Sequence, residues 1–280
     1  MVWVFAKQRR RGRKAQNRRK AGKAGKRGYR KRSMVRVIKR VMATQIEKKC
    51  QNSSGTISCG TLQSTSPNLI GNYLVISPSQ STSGYTIIQG TAENNRIGNA
   101  VNIKSLKHNF TIYCQQYNAT SNTTPRPVYV RLYYFKSKWA PNSDVATGNL
   151  CGANSNFFSG TSTDLGFTGA LLDMTRKIQS ENYTYLTHRT YKVGPAMPAI
   201  GNTTTTNHIY SNNDFRLSVI GSVQLARHYK AKYIFNDANQ VMTPWCFCVI
   251  QVMDAEGSVL NTSQSLVQMQ YNIECEYTDA

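Results

Sequence analysis

The sequence predicts an all-β fold of antiparallel strands, and three observations carry that prediction. Apolar and polar residues alternate with a period of two through one segment after another beyond Gly84. No stretch between those segments has the length and periodicity of an amphipathic helix, so the crossover helices that parallel βαβ units require are missing. The body of the chain is poor in charge and rich in Asn, Thr, Ser, Tyr and Val, a composition that suits strands and polar loops and not long helices.

Taken in order, residues 50–84 read as a Ser/Thr/Gly/Asn-rich connection with one short strand at Tyr73 to Ile76. Val101 and Ile103 then alternate on one side, and Leu106, His108, Phe110, Ile112 and Cys114 continue in the opposite phase. One residue inserted near Ser105 produces such a phase change, so a β-bulge is expected there. Val128 to Phe135 is apolar on both faces apart from Arg131, as in a central strand covered from both sides, and Trp139-Ala-Pro-Asn-Ser143 stops it. A Gly/Asn/Ser-rich loop spans 140–166, strands follow over 168–178 and 182–193, and Pro195, Pro198 and the run Thr203 to Thr206 mark a loop over 194–212. Phe215, Leu217, Val219 and Gly221 alternate with Arg216, Ser218 and Ile220, and Tyr229, Ala231, Tyr233 and Phe235 alternate with Lys230 and Lys232. Pro244 opens a doubly apolar run from Trp245 to Met253, and Val267, Met269, Tyr271, Ile273, Cys275 and Tyr277 alternate with polar residues near the end.

Eight strands result: 101–117, 126–138, 168–178, 182–193, 213–223, 228–236, 244–254 and 265–278. Eight antiparallel strands with long loops at alternate ends describe a single jelly roll, two four-stranded sheets packed face to face. No internal repeat divides the chain, so residues 46–280 are expected to form one domain and residues 1–45 an arm.

That arm concentrates 18 of the 35 lysines and arginines and contains no acidic residue between Lys7 and Arg40. The 18 are Lys7, Arg9, Arg10, Arg11, Arg13, Lys14, Arg18, Arg19, Lys20, Lys23, Lys26, Arg27, Arg30, Lys31, Arg32, Arg36, Lys39 and Arg40. A packed domain cannot bury unpaired charge at this density, so the segment stays solvated or meets a polyanion, and residues 6–32 are expected to be disordered on their own while Ser33 to Arg40 is expected to be ordered. Such groups neutralise phosphates and release condensed counterions, which gives affinity without base-specific readout. Tyr29 has a ring that can stack on a base, although a solitary tyrosine more often does nothing specific, and the same run has the composition of a nuclear import signal. Within Ser33 to Arg40, Ser33 suits a helix cap and Met34, Val37 or Ile38, and Val41 fall a turn apart, but Val35, Val37 and Val41 suit a strand equally. The other 17 basic side chains stand against 13 acidic ones, leaving a body near neutrality. As a mitochondrial presequence the arm is too dense in charge and Gly. Met1 to Phe5 is too short an apolar run for a secretion signal, and no later run nears the ~18 apolar residues of a membrane span, so no membrane insertion is expected.

Catalysis is hard to build from this chain. His108, His188, His208 and His228 lie on different predicted strands or loops without metal-ligand spacing. Cys246 and Cys248 share a face of one strand but have no second pair, so core packing is the expectation. Glu274 and Glu276 fall on the polar side of the last strand, and no Gly-rich phosphate loop or nucleophile elbow is present. The odd, scattered cysteines, Cys50, Cys59, Cys114, Cys151, Cys246, Cys248 and Cys275, suit free thiols in a reducing compartment. Sequons such as those at Asn109, Asn182 and Asn202 are what an Asn/Thr-rich chain produces by chance. The expectation is a non-enzyme with no metal and no cofactor.

The stretch Gly90-Thr-Ala-Glu-Asn-Asn-Arg96-Ile-Gly98-Asn-Ala-Val-Asn-Ile-Lys104-Ser-Leu resembles the start of the first strand in the single-jelly-roll capsid proteins of small circular Rep-encoding single-stranded DNA viruses, the circovirus-like CRESS-DNA group. Val128 to Phe135, running on to Pro141-Asn142, is similar to that family's second strand and its exit. Glu181 to Lys192 resembles a further strand, with His188 where the family often has Asp. The resemblance implies a coat protein that self-assembles into an icosahedral shell of about 60 copies. It implies the arm held inside against the genome, with single-stranded DNA favoured over RNA. It also implies assembly in the host nucleus after import, and a final place in the virion. Loops 140–166 and 194–212 would form the outer surface, and nothing in the sequence identifies a host receptor. Arg96 would turn inward at a bend and Gly98 would stand where the backbone is tight. RNA-virus coat proteins related to tombusviruses share similar features and form one alternative. A cellular basic-tailed protein of the ribosomal kind is another, although the body's polar faces carry few Lys or Arg. A jelly-roll lectin or metal enzyme would need a ligand cluster that the sequence lacks.

Overall fold

A computed structural model describes residues 34–37, 47–63, 72–79, 86–115, 126–138, 157–160, 166–194, 216–230, 232–260 and 265–280. The chain divides into two units, Met1–Glu47 and Lys48–Ala280. In the first, residues 34–37 form a helical turn with Met34, Val35 and Val37 exposed; the rest of the Ser33 to Arg40 segment lies outside the described residues.

The second unit is built from strands β1 (Lys49–Cys59), β2 (Tyr73–Val75), β3 (Ala100–Cys114), β4 (Val128–Ser137), β5 (Tyr183–Val193), β6 (Ser218–Gln224), β7 (Tyr233–Ile234), β8 (Cys246–Asp254) and β9 (Val267–Asp279). One sheet runs β1-β9-β3-β6, with β7 paired to the start of β3, and the other runs β2-β8-β4-β5. All pairings between strands are antiparallel, and four of them nest: β1 with β9, β2 with β8, β3 with β6, β4 with β5. A long ribbon folded across its middle and rolled up gives this order, which is the jelly roll.

Two of the expected strands are corrected. Residues 168–178 form no strand; Leu171–Met174 is a 3-10 helix. A long strand stands instead at β1, in a stretch that reads as a connection. Over 228–236 only Tyr233–Ile234 is strand, preceded by a 3-10 turn at Ala226–His228, although Tyr229, Tyr233 and Phe235 are all buried. The expected bulge is present, with the β3–β9 register shifting between Ile103 and Ser105.

Packing explains two glycines. One row across the first sheet reads Gly55, Tyr271, Phe110, Gly221 on β1, β9, β3 and β6. A Cβ on Gly55 would lie 2.8 Å from the Tyr271 hydroxyl, and one on Gly221 2.5 Å from the Phe110 ring. The outer strands give up a side chain so that the two central aromatic rings can lie flat over them.

The second sheet carries an extra layer. Phe157, Phe158 and Phe167 pack on Tyr133 with ring centroids 5.8, 6.2 and 6.0 Å away, and Phe157 also meets Phe135 at 5.2 Å. Tyr133 and Phe135 therefore face this layer while Tyr134 faces the space between the sheets, where it meets His108 of β3. β4, between β8 and β5, is covered on both sides as its composition demands.

Candidate functional site

The nucleic-acid-binding residues expected in the arm are present in the structure only as Arg36, exposed on the helical turn; the others, from Lys7 to Arg32 together with Lys39 and Arg40, lie outside the described residues, as do most of loops 140–166 and 194–212.

The body begins at β1, and its first residue is anchored. Lys49 is 4% exposed, and its Nζ donates to the Asn95 carbonyl at 2.5 Å and to Asp279 Oδ2 at 2.8 Å. The other Asp279 oxygen accepts from the Ile97 amide at 3.1 Å, and the Tyr277 hydroxyl donates to the Asn94 carbonyl at 2.5 Å. The bend over 89–99 is thus fastened to one end of the β1–β9 pair, where β1 starts and β9 finishes. A buried ammonium needs such partners, because each charge taken from water costs several kcal/mol uncompensated.

Arg96 is fully buried in that bend, turned inward. Its Nη1 donates to the Gly98 carbonyl and, at 3.2 Å, to Asn99 Oδ1, its Nη2 donates to Asn239 Oδ1 at 2.5 Å, and its guanidinium stacks over Phe235 at 4.4 Å. It locks the bend to the loop after β7, where Asn239 adopts a left-handed φ of 60°. Gly98 is a correction: a Cβ there would meet nothing within 4 Å, so no tight approach requires a glycine.

Titratable groups elsewhere in the body hold loops and sheets. Asp173, fully buried, accepts from the amides of Thr168 and Gly169, from the Thr168 hydroxyl at 2.9 Å and from Gln251 Nε2 at 3.1 Å, with Arg176 at 3.5 Å. The Gln251 amide also pairs with both backbone groups of Leu62, and the Tyr133 hydroxyl and Arg131 bond the Asp173 and Met174 carbonyls. This hub clamps the aromatic layer to the second sheet. The pattern did not single it out. The visible signal was three phenylalanines, Phe157, Phe158 and Phe167, in a loop-like composition.

His108 is buried on β3, His188 is exposed on β5 beside the Tyr185 hydroxyl, and His228 ends a 3-10 turn; His208 lies outside the described residues. Partial burial, then the cations Arg131 and Arg189, lowers the His188 pKa. Cys246 and Cys248 are buried in the core, where burial pushes the Cys246 thiol up to about 12 and makes it a poor nucleophile. Cys151 lies outside the described residues, and Cys50, Cys114, Cys246 and Cys248 are free thiols. Glu274 lies in register between Asn52 and Lys107 on the outward face of the first sheet. Among the described residues no three His, Cys, Asp or Glu side chains gather as metal ligands, and no helix is long and apolar enough to cross a membrane.

No family model and no curated protein sequence matches this chain. Among solved structures it is similar to the VP1 protein of Trichodysplasia spinulosa-associated polyomavirus, solved in complex with 3'-sialyllactose, at a TM-score of 0.23 and 9% identity over 82% of this chain and 95% of that one. A likeness of that size carries nothing for function. The jelly roll itself stands on the nested strand pairing.

Proposed function

We propose that this chain is a viral coat protein. Residues 46–280 form the shell domain, copies of which close into an icosahedral particle, and residues 1–45 form an arm that neutralises the packaged genome. One observation carries this reading: 18 basic side chains without a single carboxylate are joined to a nearly neutral jelly roll. The body has little net charge with which to hold a polyanion, so the phosphate-binding capacity is concentrated in one segment that repeats with every copy. In a shell of about 60 subunits the arms carry roughly a thousand positive charges, enough to suit a genome of ~1–3 kb with ions covering the remainder. Single-stranded DNA is the favoured cargo, and the arm doubles as the import signal that brings the protein to the host nucleus.

The test compares the full chain with a variant lacking residues 1–32. The full chain should elute in the megadalton range with nuclease-protected nucleic acid, sensitive to DNase and not RNase after extraction, and the truncation should lose most of it. Particles whose nucleic acid content survives the deletion, or a full chain that stays a ~31 kDa monomer, would overturn the proposal.

A further inference from the structure

We propose that His108 is an acid-sensitive latch between the two sheets: neutral, it holds them together, and protonated, it parts them. The residue sits mid-strand in β3, opposite Ile273 of β9 and Val223 of β6. It is 0% exposed, and its Nδ1 lies 2.8 Å from the Tyr134 hydroxyl on β4, so one hydrogen bond ties the first sheet to the second. Its Nε2 is buried without a hydrogen-bond partner. Rings of Phe110, Tyr134 and Tyr271 stand around it with centroids at 5.0, 5.8 and 6.3 Å.

The surroundings offer a proton nothing to pair with. The titratable groups that face this position are Tyr134 from β4, Tyr271 from β9, Cys248 from β8 beside Tyr134, and Tyr191 from β5 against Phe110; β6 contributes Val223. Burial raises Tyr134 and Cys248 well above their ordinary values, and Tyr191 and Tyr271 also, so all four are neutral from pH 4 to 8. An imidazolium would therefore have no counter-charge, and its second N–H no acceptor. The proton can be accommodated only where water reaches the ring, and that requires the sheets to separate.

Burial pushes the His108 pKa down to about 3 from its ordinary 6.5. A lowered histidine binds fewer protons in the closed state than in the open one. Stability is therefore complete above pH 6.5 and falls as the pH drops toward 3. Between pH 7 and pH 5 the open-to-closed ratio should rise about 25-fold from this residue alone. Free carboxylates titrate mainly below that window, while His188, exposed, and His228, half-buried, are also lowered and add a smaller dependence of the same sign. The latch belongs to the fold of one chain and stands whether or not copies assemble.

The experiment is denaturant unfolding of the full chain from pH 7.5 to 5, beside His108→Gln and His108→Phe. Wild type should lose stability equivalent to at least the 25-fold change, both variants should change at least five-fold less, and His188→Gln should keep most of the wild-type change. If neither variant folds, amide hydrogen exchange of wild-type β3 and β4, corrected for intrinsic rates, should reveal at least ten-fold more frequent opening at pH 5 than at pH 7. Variants that keep the wild-type pH dependence, or wild-type opening that changes less than three-fold, would overturn the latch.

Discussion

The two sheets solve the same burial problem differently. In the β1-β9-β3-β6 sheet, most of β9 alternates, with Met269, Ile273, Cys275 and Tyr277 buried while Gln270 and Glu276 are exposed, so its side away from the core is polar. In the β2-β8-β4-β5 sheet, every residue of β8 is buried, because a loop bearing Phe157, Phe158 and Phe167 lies over the outer face. A sheet with one wet face can be specified by alternation alone. A sheet covered twice needs a second device to hold the cover, and here that device is a buried carboxylate.

The largest effect should come from removing it. Asp173→Ala strands the amides of Thr168 and Gly169 and the side chains of Gln251 and Arg176, and should destabilise the chain by about 3–5 kcal/mol in denaturant titration. A change below 1 kcal/mol would mean that the aromatic layer holds itself. An intermediate effect is expected on the first sheet, where Gly221→Ala drives a methyl into the Phe110 ring and should cost about 1–3 kcal/mol. Gly98→Ala, with open space around it, should stay within about 0.5 kcal/mol of wild type; equal losses for the two would remove the glycine–aromatic row as a packing device. The smallest belongs to the wet face. Gln270→Lys should shift the thermal midpoint by no more than one or two degrees, about 0.5 kcal/mol or less. A clear loss there would show that this face, too, is covered.

What could be read in the sequence follows the same division. β3, β4, β8 and β9 announce themselves because each lies centrally in a sheet and faces a full layer of apolar atoms. β1 does not. Its inward positions include Gln51, Ser53 and Gly55, all only half-buried, since an edge strand has a neighbour on one side only. Its identity comes from pairing with β9, which no local pattern encodes. The stretch 168–178 misleads in the opposite sense, for Leu171, Leu172, Met174 and Ile178 look strand-like while Asp173 draws the preceding backbone amides around itself and winds a 3-10 turn. Arg96 could be placed at its bend from the motif, but its partner Asn239 is 143 residues away. In the arm, charge density alone carried the reading, because it needs no geometry.

The nested pairing has a consequence in time. Lys49 and Asp279 bond across 230 residues, so β1 emerges from the ribosome long before β9 exists to receive it. At ~5–20 residues per second that wait is roughly 10–45 s, during which β1 has no partner strand. So high a contact order makes closure of the sandwich a slow, late event. Release of the finished chain, and not the emergence of its first strand, sets the moment at which the two sheets can close.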